Sequence, residues 1–139
     1  MHRLIIPTLI SLLTSTSFAG EPAKETKTTK SGMQYTSLVE GTGATPGATD
    51  TVSVNYRGTL LNGREFDSSY KSGRPAEFRL NNGIKCWTEG LQMMKVGGKA
   101  ELVCPSNIAY GEEGIVGSIP RFATLIFEVE LLAVKCHSL

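Results

Sequence analysis

The sequence predicts an α+β domain, a curled antiparallel β-sheet wrapped around one short α-helix, on three observations. Apolar residues recur with period two in several short runs, a single stretch has a helical stripe, and glycine-containing turn signals separate them. Thr51 to Arg57 places Val52, Val54 and Tyr56 on one face and Ser53, Asn55 and Arg57 on the other, the pattern of a half-buried strand. Trp87, Leu91 and Met94 stand at i, i+4 and i+7, one apolar stripe on about two and a half helical turns, with Gly97-Gly98 as the stop. Ala100, Leu102 and Cys104 alternate with Glu101 and Val103 in a second strand. Pro105 ends it, because proline cannot donate to a ladder. Thr124 to Leu131 repeats the alternation with Leu125, Phe127, Val129 and Leu131 on one side. Gly41-Thr42-Gly43, Pro46-Gly47, Asn62-Gly63 and Asn82-Gly83 supply turns. One helix suffices to cover such a sheet, and a pocket is expected between the helix and the concave face.

The ends of the chain have a different character. Met1-His2-Arg3, the apolar run Leu4 to Leu13 and the small-residue sequence Ser17-Phe18-Ala19 together read as a secretory signal peptide over residues 1–19. Pro7 interrupts the apolar run, which is shorter than the roughly 20 residues a bilayer core requires, so no stable membrane insertion is expected. Residues 20–31 contain no apolar side chain larger than alanine or proline and are expected to form a disordered polar tether. The folded domain is expected over 32–135, with 136–139 as a tail.

The chain has 14 Lys+Arg against 13 Asp+Glu. Loss of residues 1–19 removes Arg3 and no acid, so 14 − 1 = 13 balances 13 and the mature chain is formally neutral. A nucleic-acid binder would carry a basic stripe, which is absent. Three cysteines in an exported chain suggest one disulfide and one thiol. Cys86 and Cys104, both inside the domain, are the favoured pair; the alternative is that both are small buried hydrophobes. No paired-cysteine spacing points to zinc, and the mature chain's histidine, His137, lies near the C-terminus.

No Gly-x-Ser-x-Gly elbow, His-Glu-x-x-His or phosphate-cradling loop is present, and the domain has no histidine to serve as a base. What the domain offers is aromatic and apolar residues near a few polar ones: Tyr56, Phe66, Asp67, Ile84, Trp87, Tyr110 and Phe127, which suit a small apolar site. Each aromatic alone would equally suit plain core packing, and Asp67 alone a solvated turn.

Their joint order is more informative. Tyr56-Arg57-Gly58-Thr59-Leu60-Leu61-Asn62-Gly63-Arg64-Glu65-Phe66-Asp67-Ser68-Ser69, then Trp87-Thr88-Glu89-Gly90, then Ala109-Tyr110-Gly111, resembles the ligand-pocket framework of the FKBP-type peptidyl-prolyl cis-trans isomerases. The likeness covers residues 32–134. It implies Trp87 as pocket floor and Tyr56, Phe66 and Phe127 as walls. It implies Asp67 and Tyr110 as polar contacts, and the Ile84 backbone N–H as donor to a ligand carbonyl. Ile119 is expected in the loop over the pocket, with Ile115 a lesser candidate, and Phe66, Asp67 and Tyr110 are the residues expected to act on the reacting amide.

The chain departs from the common pattern of that family. Ala76 stands where a bulky aromatic is frequent, Gly83 where an aliphatic precedes Ile84, Asn55 where histidine is frequent, and Arg121 where a second proline is common. The resemblance implies an exported, periplasmic or secreted isomerase of X-Pro bonds that needs no cofactor. Its expected partners are proline-containing unfolded or partly folded proteins and macrolides of the FK506 and rapamycin type. Related exported members add a helical dimerisation module where this chain has a dozen polar residues, so a monomer is expected. The rival expectation is a proline-segment binding module or chaperone with little turnover. A lone-carboxylate enzyme using Asp67 is a weaker third.

Overall fold

The computed structural model describes residues 25–136; the expected leader, the start of the tether and His137 lie outside them. The elements run β1 (Thr26–Thr28), β2 (Gln34–Val39), β3 (Thr51–Leu60), β4 (Glu65–Ser68), α1 (Ser69–Ser72), β5 (Ala76–Arg79), α2 (Lys85–Leu91), β6 (Lys99–Cys104) and β7 (Leu125–Lys135). All seven strands join one antiparallel sheet in the order β1-β2-β6-β7-β3-β4, with β5 also on β3. The period-two residues face inward: Val52 and Val54 of β3, Ala100, Leu102 and Cys104 of β6, and Leu125, Val129 and Leu131 of β7 all have no exposed surface. Burial of each large aliphatic side chain contributes about 1.5–3 kcal/mol.

β3 is the spine of the site. β7 pairs along its whole length, whereas the opposite edge is shared: β5 pairs with Thr51 to Val54 and β4 with Arg57 to Thr59. Asn55 and Tyr56 fall in the gap. There the buried Ser69 of the single-turn helix α1 takes the place of a strand, its Oγ accepting the Tyr56 N–H at 2.9 Å and donating to Asn55 Oδ1 at 3.0 Å. A backbone donor that burial would otherwise leave unpaired is thereby satisfied.

α2 packs into the concave face through Cys86, Trp87, Gly90 and Leu91. Gly90 is required by proximity: a Cβ there would lie 2.8 Å from Leu102 Cδ1 and 3.2 Å from Met33 Sδ. The helix is shorter than the stripe suggests, because it ends at Leu91 and Met94 is buried from the following turn. Met93 and Met94 donate to Gly90 and Leu91, three residues back, so the chain tightens. Gly97 N–H and Gly98 C=O then bond the two backbone groups of Leu131 on β7 at 2.9 and 3.0 Å. Residues committed to that pairing cannot continue a helix.

The tether expected to be disordered over 20–31 carries a strand. β1 pairs with β2, with Thr26 opposite Thr36 and their hydroxyls 2.7 Å apart. A turn closed by Thr29 N–H to Met33 C=O joins them, and Met33 is fully buried. The side chains of β1 are exposed, so main-chain pairing to an existing edge orders this segment, a contribution that hydrophobic patterning does not register. A Cys86–Cys104 disulfide, both residues fully buried, ties the first turn of α2 to the end of β6, and Cys136 is an exposed thiol.

Candidate active site

A cavity of about 250 Å³ opens between α2 and the β3–β4–β5 side of the sheet. Its floor is Trp87, which is 6% exposed and projects from the first turn of α2. Three rings surround the indole: Tyr56 of β3 at 5.0 Å and 87°, Phe127 of β7 at 5.2 Å and 88°, and Phe78 of β5 at 5.4 Å and 47°. Phe66 of β4 stands edge-on to Phe127 at 5.6 Å. Edge-to-face pairs of this kind contribute about 0.5–1.5 kcal/mol each beyond burial and hold the rings in fixed orientations.

The walls close because β3 has no side chain where they meet. A Cβ on Gly58 would lie 2.6 Å from Phe66 Cζ and 2.9 Å from Phe127 Cε1. On the other side the wall is low. Ala76 lines the cavity with one methyl group, and a Cβ on Gly83 would meet nothing nearer than Phe78 Cε2 at 3.5 Å. Gly83 has an ordinary negative φ, so its backbone does not demand glycine and its effect is to leave space.

The polar groups are few. Asp67 accepts the Tyr56 hydroxyl at 2.5 Å on Oδ2 and the Ser68 N–H at 2.9 Å on Oδ1, which fixes the carboxylate plane. Burial, then the hydrogen bond and charge of Asp67, raise the Tyr56 pKa far above the usual tyrosine range. Burial and the Asp67 charge raise that of Tyr110 as well. Both are therefore neutral O–H donors at physiological pH. The Ile84 N–H, at the N-cap of α2, makes no backbone hydrogen bond among the described residues, and Trp87 Nε1 is buried without a partner. The enclosed Trp87 Nε1 carries a cost of about 1–3 kcal/mol and is out of a ligand's reach, whereas Ile84 lines the cavity and its N–H can donate to a carbonyl there.

Of the residues singled out in the sequence, Tyr56, Phe66, Asp67, Ile84, Trp87, Tyr110 and Phe127 all line this one cavity. Ile119 does not; it is 4% exposed and lines a separate groove with Ile115. Phe78 is a pocket residue that the sequence reading passed over. Its signal was the alternation Ala76-Glu77-Phe78, which puts the phenylalanine on the same face as Ala76.

The fold and the cavity define a small aromatic-pocket domain, a sheet closed over one helix with a tryptophan floor. The comparisons agree on its family. The family model described as FKBP-type peptidyl-prolyl cis-trans isomerase matches residues 43–132. The chain is 55% identical over 109 residues to the FKBP-type peptidyl-prolyl cis-trans isomerase FkpA of Aeromonas hydrophila, covering 78% of this chain and 40% of that one. It is 47% identical over 105 residues to the outer membrane protein MIP of Legionella longbeachae, covering 76% and 45%. The crystal structure of FkpA from Escherichia coli superposes with a TM-score of 0.79 at 49% identity, over 83% of this chain and 54% of that one. The chain belongs to the FKBP-type peptidyl-prolyl cis-trans isomerase family, and it spans about half or less of the length of these curated relatives.

Proposed function

We propose that this chain accelerates cis/trans isomerisation of X-Pro bonds in unfolded or partly folded proteins, with the prolyl ring seated on Trp87. One observation carries the reading: an aromatic cavity with few polar groups, among them a fixed carboxylate, neutral phenols and the Ile84 N–H, which makes no backbone hydrogen bond among the described residues. The barrier to rotation, about 18–20 kcal/mol, is the amide resonance lost as the bond twists; no covalent bond breaks, so no covalent step is required. Phe66, Tyr56 and Phe127 hold the ring in an apolar slot. The Ile84 N–H and the Tyr110 hydroxyl donate to carbonyls flanking the twisted bond, and Asp67 offers negative charge where the amide nitrogen becomes pyramidal. Interactions stronger in the twisted geometry than in the planar one lower the barrier.

The same pocket is proposed to take macrolides of the rapamycin type as competitors. The low wall at Ala76 and Gly83 favours a loose preference for the residue before proline. Action outside the cytoplasm is also proposed, on the leader pattern at 1–19 and the Cys86–Cys104 bridge, which an oxidising compartment sustains. The test is a protease-free isomerisation assay on an X-Pro peptide with and without rapamycin. Acceleration abolished by the macrolide supports the reading, and a folded protein that binds prolyl peptides without accelerating them replaces it with the binding-module alternative.

A further inference from the structure

A second groove, of about 410 Å³, lies between Arg64 and the loop at 113–121. Its floor is apolar, from Ile115, Ile119 and Pro120, with Val116 98% exposed at the rim. Arg64 and Arg121 flank it. Each is fixed by one recorded bond, Arg64 Nη2 to Ser118 C=O at 2.7 Å and Arg121 Nε to Glu112 C=O at 2.9 Å. Neither is ion-paired among the described residues, although Glu113 also lines the groove. A guanidinium has five N–H donors, so most of the donors on both remain to be used.

The loop is held in this shape at a conformational cost. Phe122, next to Arg121, adopts a left-handed backbone with φ 57°, its N–H donating to Gly111 C=O at 2.9 Å, and its ring lies 5.6 Å beneath the Arg121 guanidinium. A bulky residue in that region persists when the surroundings impose it, and such strain clusters at binding sites.

The groove and the pocket share no lining residue, but the chain links them at two places. Arg64, in the turn before β4, is two residues from Phe66, at most about 7 Å along the chain, which two residues of an extended client would span. Tyr110 lines the pocket, and its carbonyl accepts the Gly114 N–H at the start of the groove loop.

We propose that this groove is a charge-selective subsite, in which Arg64 and Arg121 bind the carboxylate of an Asp or Glu lying within about three residues of the proline. The inference rests on the prolyl-isomerase reading of the pocket and names the client class that it prefers: X-Pro segments with a nearby acidic residue. Without it, the two arginines would be indifferent to client sequence.

The test compares kcat/KM for a series of prolyl peptides bearing Asp, Ala or Lys at each of the three positions on either side of the proline, at low salt. The proteins are the unaltered chain, Arg64→Gln, Arg121→Gln and the charge-retaining Arg64→Lys and Arg121→Lys. The expected result is a three- to tenfold preference for Asp at one or two of these positions, of the order two partly exposed ion pairs supply. The preference should shrink at high salt, be lost in the glutamine variants and be retained in the lysine variants, while turnover of the alanine peptide stays unchanged. Equal turnover of the Asp and Ala peptides by the unaltered protein would overturn the subsite and leave the isomerase reading intact. No acceleration of any peptide by the folded protein would overturn the isomerase reading, and the subsite with it.

Discussion

The Tyr56 hydroxyl donates to Asp67 Oδ2 at 2.5 Å across a diagonal of the β3–β4 pair, in which Asp67 itself faces Gly58. The bond ties the carboxylate to a ring already locked edge-on to Trp87, so the polar and aromatic parts of the pocket are positioned as one unit. Removing the hydroxyl with Tyr56→Phe should leave the ring packing intact and free the carboxylate to rotate. The expected outcome is a loss of about 1 kcal/mol of stability and a three- to tenfold fall in kcat/KM, the loss of about one oriented contact. Denaturant unfolding and the isomerisation assay read the two effects separately.

Gly58→Ala probes the closure of the walls. The added methyl would sit 2.6 Å from Phe66 Cζ and 2.9 Å from Phe127 Cε1, both pocket rings. Overpacking should cost about 1–3 kcal/mol and splay Phe66 from Phe127. Near-ultraviolet circular dichroism should report the altered ring packing, and KM for a prolyl peptide should rise.

The raised pKa values of Tyr56 and Tyr110 predict a flat alkaline limb. A tyrosine whose folded pKa lies above its unfolded value contributes stability that is fully present below about pH 10 and is lost as pH rises through the folded value. Activity and stability should therefore show no loss from tyrosine ionisation up to about pH 10. Ultraviolet difference titration should show these two phenols ionising above the ordinary tyrosine range, and in Asp67→Asn both should ionise earlier, because the carboxylate contributes to each shift.

Loss of the disulfide should act on stability more than on chemistry. The bridge closes a segment of 18 positions between two fully buried residues. Its removal in Cys86→Ala/Cys104→Ala should cost about 2–4 kcal/mol. The folded fraction should keep its kcat, since neither cysteine lines the cavity. Thermal unfolding and turnover at low temperature separate the two.

The strands of the core were legible because their alternation is the burial pattern itself: Val52 and Val54, Ala100 and Leu102, and Val129 and Leu131 all point inward. Features that depend on the backbone were not. The end of α2 at Leu91 is marked by the three-back bonds of Met93 and Met94, and the order of Thr26–Thr28 by pairing with β2; neither leaves a hydrophobic period. Ser69 plugging the gap beside Tyr56 is invisible for the same reason. Composition offered a set of aromatics that could as well have been core, and it was their order along the chain that grouped them. Phe78 was readable from its alternation with Ala76, whereas the groove around Arg64 and Arg121 joins residues far apart in sequence and needed the fold.

The most direct measurement of the central claim is exchange spectroscopy on an X-Pro peptide, comparing the unaltered protein with a Phe66→Ala/Asp67→Ala variant shown to be folded. Isomer exchange strongly accelerated by the first, and at least tenfold less by the second, is the predicted result. Undiminished exchange in the variant, or none with the unaltered folded protein, would contradict the assignment of this pocket as the site of bond rotation.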